Sequence, residues 1–129
     1  MGSAREALVH LASDVASLGE GRRFVARTLR EWDVDEACIE PAMLVANELV
    51  ANAIVHAQSA PVLSLAATGA DLMLRVSDDS STPPVAQTPG PDEFAGRGLV
   101  LVDALADRWG IDTSASGKSV WVAFDGALA

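Results

Sequence analysis

Between Pro41 and Ala57 the chain runs PAMLVANELVANAIVHA, apolar at almost every position and broken only by Asn47, Glu48, Asn52 and His56. With Pro41 suited to the first turn of a helix, this stretch reads as a helix ending near Ala57. A helix this apolar needs cover on most sides, so the rest of the chain must build a layer for it to pack against. Its four polar interruptions argue against a membrane span, which takes about 20 predominantly apolar residues. No basic stretch followed by an apolar run marks the N-terminus as a secretion signal. The sequence therefore reads as a soluble chain, with the cytoplasm as its expected compartment.

The 129 residues fit one domain, 1–129, and a chain of this size buries roughly two-thirds of its unfolded surface. Half of the residues are hydrophobic and 21% are charged, which excludes an intrinsically disordered chain. Cys38 is the only cysteine, so a disulfide-built scaffold is excluded too. Nine basic residues face eighteen acidic ones, for a formal net charge of −9. No basic patch is available to follow a phosphate backbone, so direct nucleic-acid binding is not expected.

Residues 5–12 alternate weakly, as a short strand would. From Asp14 to Trp32, Val15, Leu18, Phe24, Val25, Leu29 and Trp32 recur at mostly helical spacing, with Ser13 or Asp14 available as a cap. An acidic linker over 33–40 precedes the apolar helix. Two strands over 61–67 and 71–77 flank the turn Thr68-Gly69-Ala70. Residues 79–97, with four prolines, form a long loop without helix or strand period. A helix over 99–106 and two strands over 109–113 and 119–124 complete the chain. This order predicts an α/β (α+β) two-layer sandwich, with helices on one face of a mixed, mostly antiparallel sheet.

Three places in this frame can carry chemistry. Glu48, Asn52 and His56 are spaced by four and draw one polar line along the apolar helix. That line is either the wet side of an amphipathic helix or a site. The scarcity of other polar residues there, Asn47 alone, favours the site. An amide oxygen suits Mg²⁺, and a carboxylate one turn away can take a hydroxyl proton. Asp78 follows the strand Leu72 to Val76 and can accept from the exocyclic amine of a base, although Asp and Ser also serve plain turns. Gly96-Arg97-Gly98-Leu99 lies where loop becomes helix, where small residues and free N–H groups suit an anion. No Walker A loop is present, and no G-x-S-x-G elbow for a serine hydrolase.

The ordered set carries a resemblance. Glu48-Leu49-Val50-Ala51-Asn52-Ala53-Ile54-Val55-His56-Ala57 resembles the N box of the GHKL ATP-binding superfamily, shared by gyrase, MutL and histidine kinases. Asp78 with Ser80 and Pro83-Pro84 is similar to its adenine box, and Gly96-Arg97-Gly98-Leu99 to its second glycine box. Gly117-Lys118-Ser119-Val120-Trp121 resembles the closing strand of the small members. Within the superfamily the chain most resembles the anti-sigma-factor serine/threonine kinases of the RsbW and SpoIIAB type, over about residues 14–124.

The resemblance implies that Asn52 ligates Mg²⁺ on ATP and that Glu48 is the general base or positions the attacking group. It implies that Asp78 accepts from the adenine amine and that 79–97 is the ATP lid, with Gly96 and Gly98 donating to phosphates. His56, Ser80, Arg97 and Leu99 would lie by the nucleotide, and Ser119 would approach adenine from the sheet. Many relatives carry Asp-x-Gly-x-Gly at the adenine box, whereas Asp79-Ser80-Ser81-Thr82 follows Asp78 here.

The function so implied is transfer of the ATP γ-phosphoryl group to an anti-anti-sigma (STAS-type) protein. The alternative is a non-catalytic, nucleotide-sensing anti-sigma factor that sequesters a sigma factor. A homodimer is expected by the same resemblance.

Overall fold

The computed structural model describes residues 4–57, 59–78, 94–114 and 117–127, with the side chains of 56, 57 and 94–99 excepted. In chain order the elements are β1 (Arg5–His10), α1 (Ser17–Glu31), α2 (Glu36–Asn52), a π turn (Ala53–Ala57), β2 (Val62–Thr68) and β3 (Asp71–Asp78). They continue with α3 (Phe94–Leu105), β4 (Arg108–Ser114) and β5 (Gly117–Phe124). The five strands form one sheet in the order β1-β2-β3-β5-β4, and every neighbouring pair is antiparallel. The α+β sandwich expected from the sequence is the fold observed.

Alternation sorts the sheet into two faces. Leu63, Leu65, Leu72, Leu74, Val76, Val120, Val122 and Phe124 point to the covered face and are buried. They meet Phe24, Val25 and Leu29 of α1 and Ile39, Ala42, Val45, Ala46, Leu49 and Val50 of α2 in one core. By length and hydropathy alone, Glu36–Val55 is apolar enough to cross a membrane. Here its apolar residues supply the middle of that core. α2 packs on α1, on α3 and on β3, so it is the central helix of its layer.

The helix ends differ from the sequence reading, and each difference has a local cause. Asp14 does act as a cap, but of the turn before α1: its Oδ1 accepts from the Ala16 N–H at 2.9 Å, and the helix starts at Ser17. α1 closes in a Schellman turn, with the Val34 N–H donating to the Leu29 carbonyl and the Asp33 N–H to the Arg30 carbonyl. Asp33 takes the left-handed position there, at φ 58°.

The stretch read as an acidic linker opens α2. Asp35 caps it by accepting from the Ala37 N–H, and buried Val34 and Ile39 stand where a hydrophobic staple holds the entering chain. Pro41 therefore lies inside the helix, at its sixth residue, and not in its first turn. Arg30 grips Glu36 with two N–H groups at 3.0 and 3.2 Å, which ties the end of α1 to the start of α2. The hydrogen bond from Arg30 holds the Glu36 carboxyl below its ordinary value. Its small contribution to stability is present at neutral pH and fades as the pH falls through that lowered value.

The Schellman turn gives a testable outcome. A non-glycine residue at φ 58° carries strain that glycine does not. Asp33→Gly is expected to raise the unfolding free energy by roughly 0.5–1 kcal/mol in urea titration. A loss of stability would show that the Asp33 side chain holds the turn by other means.

Candidate functional site

The apolar residues of α2 decide which of its polar residues are available. Leu49, Val50 and Ala53 are buried against the core, which leaves Glu48 and Asn52, one turn apart, half-buried along the same line. Asn47 is engaged elsewhere: its Oδ1 accepts from Arg22 Nη1 at 2.7 Å and links α2 to α1. Asn52 is different. Its Oδ1 is buried and accepts no hydrogen bond among the described residues. A buried carbonyl oxygen without a donor costs about 1–3 kcal/mol, so the arrangement suits a ligand that protein donors do not replace.

Immediately after Asn52 the helix widens into the π turn Ala53–Ala57, where β-branched Ile54 and Val55 adjoin. Single π turns recur at functional sites. The backbone of His56 lies in this turn; its side chain is outside the described set. Both α2 and the π turn pack on β3, the strand that ends in Asp78.

Asp78 continues the alternation of Leu72, Leu74 and Val76, so it sits on the helix-covered face of the sheet. Its side chain is only 4% exposed. Directly across the β3–β5 ladder stands Lys118, the only lysine of the chain and itself 11% exposed. Lys118 Nζ lies 3.2 Å from one Asp78 carboxylate oxygen and 3.4 Å from the other. Both residues border a cleft of about 300 Å³ at the ends of β3, β4 and β5, with Ser77, Thr113, Ser114 and Gly117 among the lining residues. Glu48 and Asn52 do not line that cleft.

Ser119 falls on the wrong side of the sheet for the role expected of it. It pairs with Ser77 and Asp112, one residue out of phase with Asp78, so it belongs to the opposite face although it borders the same cleft. Its hydroxyl accepts from Arg75 Nη1 at 2.9 Å, and the same nitrogen pairs with Asp112 at 3.2 Å. The place beside Asp78 belongs to Lys118, which sequence reasoning missed. Starting the last strand at Ser119 leaves Lys118 in a turn; the strand starts at Gly117, and the period then carries Lys118 inward with Val120 and Val122.

The glycine pair also moves. α3 starts at Phe94, so Gly96-Arg97-Gly98-Leu99 lies within its first two turns and not ahead of it. Phe94, Ala95 and Gly96 hold the first three helical positions, whose N–H groups find no acceptor within the helix. By this count the Gly96 N–H has no acceptor within the helix, while those of Arg97 and Gly98 point back into it. Ser80 and the rest of the expected lid over 79–93 lie outside the described residues.

A family of known domains matches this arrangement along nearly its whole length: the histidine kinase-like ATPase domain, over residues 11–124. The chain belongs to that family. Among solved structures it is similar to the crystal structure of the RsbU and RsbW domains of Rv1364c from Mycobacterium tuberculosis. The TM-score is 0.74 at 18% sequence identity, over 94% of this chain and 32% of that one. The chain thus spans about a third of the length of that structure, and the likeness is one of fold. No curated protein matches the sequence.

The unpartnered amide oxygen gives a test that needs no ligand. Asn52→Ala removes an acceptor that no donor among the described residues satisfies. The nucleotide-free variant is expected to keep the wild-type unfolding free energy within about 1 kcal/mol, or to exceed it, in urea titration. A loss of 2 kcal/mol or more would mark Asn52 as a structural residue.

Proposed function

We propose that this domain binds ATP with Mg²⁺ and acts as an anti-sigma-type serine/threonine protein kinase on an anti-anti-sigma (STAS-type) partner. The observation that carries the reading is the buried, donorless oxygen of Asn52, one turn from Glu48 on a helix packed over the strand that ends in Asp78. Membership in an ATPase domain family supports nucleotide binding. The likeness to a structure that includes an RsbW domain supports the anti-sigma class.

The residues fit the groups they would hold. Asn52 Oδ1 is a neutral oxygen of the kind Mg²⁺ takes alongside waters and phosphate oxygens, needing one or two protein ligands. Bound there, the ion would neutralise charge on the phosphates. Asp78 accepts from the adenine amine, and the Gly96 N–H at the head of α3, which the helix itself does not use, donates to a phosphate oxygen. Glu48 accepts the proton of the partner's serine hydroxyl. The bond from that oxygen to the γ-phosphorus forms as the bond to the β,γ-bridging oxygen breaks, and ADP leaves. Such a transfer is mainly positioning and charge stabilisation, which so few protein groups can supply.

A second reading keeps the nucleotide and drops the transfer: a nucleotide-sensing factor that sequesters a sigma factor. The net charge of −9 favours it, because an acidic surface speeds encounter with a partner rich in basic segments. Glu48→Gln separates the two readings. On the kinase reading it is expected to lower phosphate transfer from labelled ATP to the partner serine at least a hundredfold, with ATP affinity kept within about threefold. Wild-type protein that binds ATP tightly and labels no cognate partner would leave the sequestering reading.

Nucleotide binding has its own check. Mg-ATP at a hundred times its dissociation constant stabilises a one-site binder by about 2.7 kcal/mol, so the wild-type melting temperature rises. Asn52→Ala and Asp78→Asn are each expected to lose most of that rise. An unshifted wild-type melting curve at millimolar Mg-ATP would contradict both readings.

A further inference from the structure

Lysine is rarely buried unless it is paired, and this chain places its single lysine at 11% exposure against a carboxylate at 4%. Charge balance explains the pair but not its position. Lys118 and Asp78 face each other in strand register at the rim of a polar cleft, so both head groups border open volume. The ammonium carries three N–H donors and no acceptor, and the carboxylate only accepts. Lys118 makes no other hydrogen bond among the described residues, so at least one N–H can be directed into the cleft.

An acceptor and a donor 3.2 Å apart match a purine edge that offers a donor beside an acceptor. On adenine these are the 6-amine and the adjacent ring nitrogen N1. We propose that Lys118 is a second base-reading residue, whose ammonium donates to adenine N1 while Asp78 accepts from the amine. This rests on the assignment of Asp78 to the adenine amine made above. It adds a residue that sets specificity: a ligand that presents no acceptor next to its amine leaves one N–H of the largely buried ammonium facing a group that cannot accept it, and affinity falls.

The test compares two ligands that differ at one atom, Mg-ATP and Mg-1-deaza-ATP, in which N1 is replaced by C–H. Their dissociation constants are measured by calorimetry on the wild-type protein and on Lys118→Met. The wild type is expected to bind 1-deaza-ATP about tenfold more weakly than ATP, or worse, as the loss of a charge-assisted hydrogen bond implies. Lys118→Met is expected to bind the two ligands within twofold of each other.

A wild-type ratio within twofold overturns the proposal without any variant, and Lys118 then only balances Asp78. A tenfold ratio that survives in Lys118→Met overturns it as well, because another group then reads N1. Absence of ATP binding by the wild type overturns the site reading and this inference with it. ATP binding with an unchanged ratio overturns the role of Lys118 alone.

Discussion

α2 is held in its layer by Ile39, Ala42, Val45, Ala46, Leu49 and Val50, which share one core with the inward residues of the sheet and bring the helix against β3. This burial is the constraint on which the site depends. At about 25 cal/mol per Å² of apolar surface, each of the four larger side chains, Ile39, Val45, Leu49 and Val50, stabilises the fold by roughly 1.5–3 kcal/mol before entropy is counted, and the two alanines by less. No slip of the helix keeps all six inside. A rotation that took Glu48 or Asn52 fully into solvent would drag Leu49 or Val50 out with them. Hydrophobic packing thus holds an amide oxygen that no described donor meets where a freer helix would turn it to water, and the core offsets the local cost.

Asp78 is placed by the same logic in a different element. The period that buries Leu72, Leu74 and Val76 sends the next inward position to a carboxylate, at the point where β3 ends and the chain turns to other work. A lone buried carboxylate would cost several kcal/mol, and removal of one member of a buried ion pair costs about 3–5 kcal/mol. Lys118 supplies the compensating charge from β5, in register and from the same face. Ladder pairing therefore does at the sheet what core packing does on the helix: it fixes a polar group that local preference alone would leave mobile.

Much of this was readable from the residues. Apolar spacing along α1, the alternation of β2 and β3 around Gly69 and the four-residue interval from Glu48 to Asn52 are all periodic signals, and periodicity survives without tertiary knowledge. What failed to read depends on something outside the local pattern. Pro41 looked like a first-turn residue because its lost N–H is harmless there. The cap at Asp35 and the buried Val34 start the helix five residues earlier, and core packing tolerates the missing bond. Gly96 and Gly98 suggested a loop, yet α3 begins at Phe94, since helix propensity is a weak prior once a helix packs on a neighbour. Lys118 escapes the sequence reading because the last strand begins two residues before Ser119, and the period that buries Val120 and Val122, once extended back to Gly117, turns Lys118 inward and Ser119 outward.

The central claim is that the α2 amide and the β3 carboxylate serve one nucleotide. Titration of ¹⁵N-labelled protein with Mg-ATP, followed by two-dimensional NMR, tests it most directly. The side-chain NH₂ of Asn52 and the backbone amides of Glu48, Asp78 and Lys118 are predicted to shift together, along one saturation curve with one dissociation constant. Shifts at Asp78 and Lys118 that leave Asn52 and Glu48 unmoved, or that saturate at a different concentration, would contradict it.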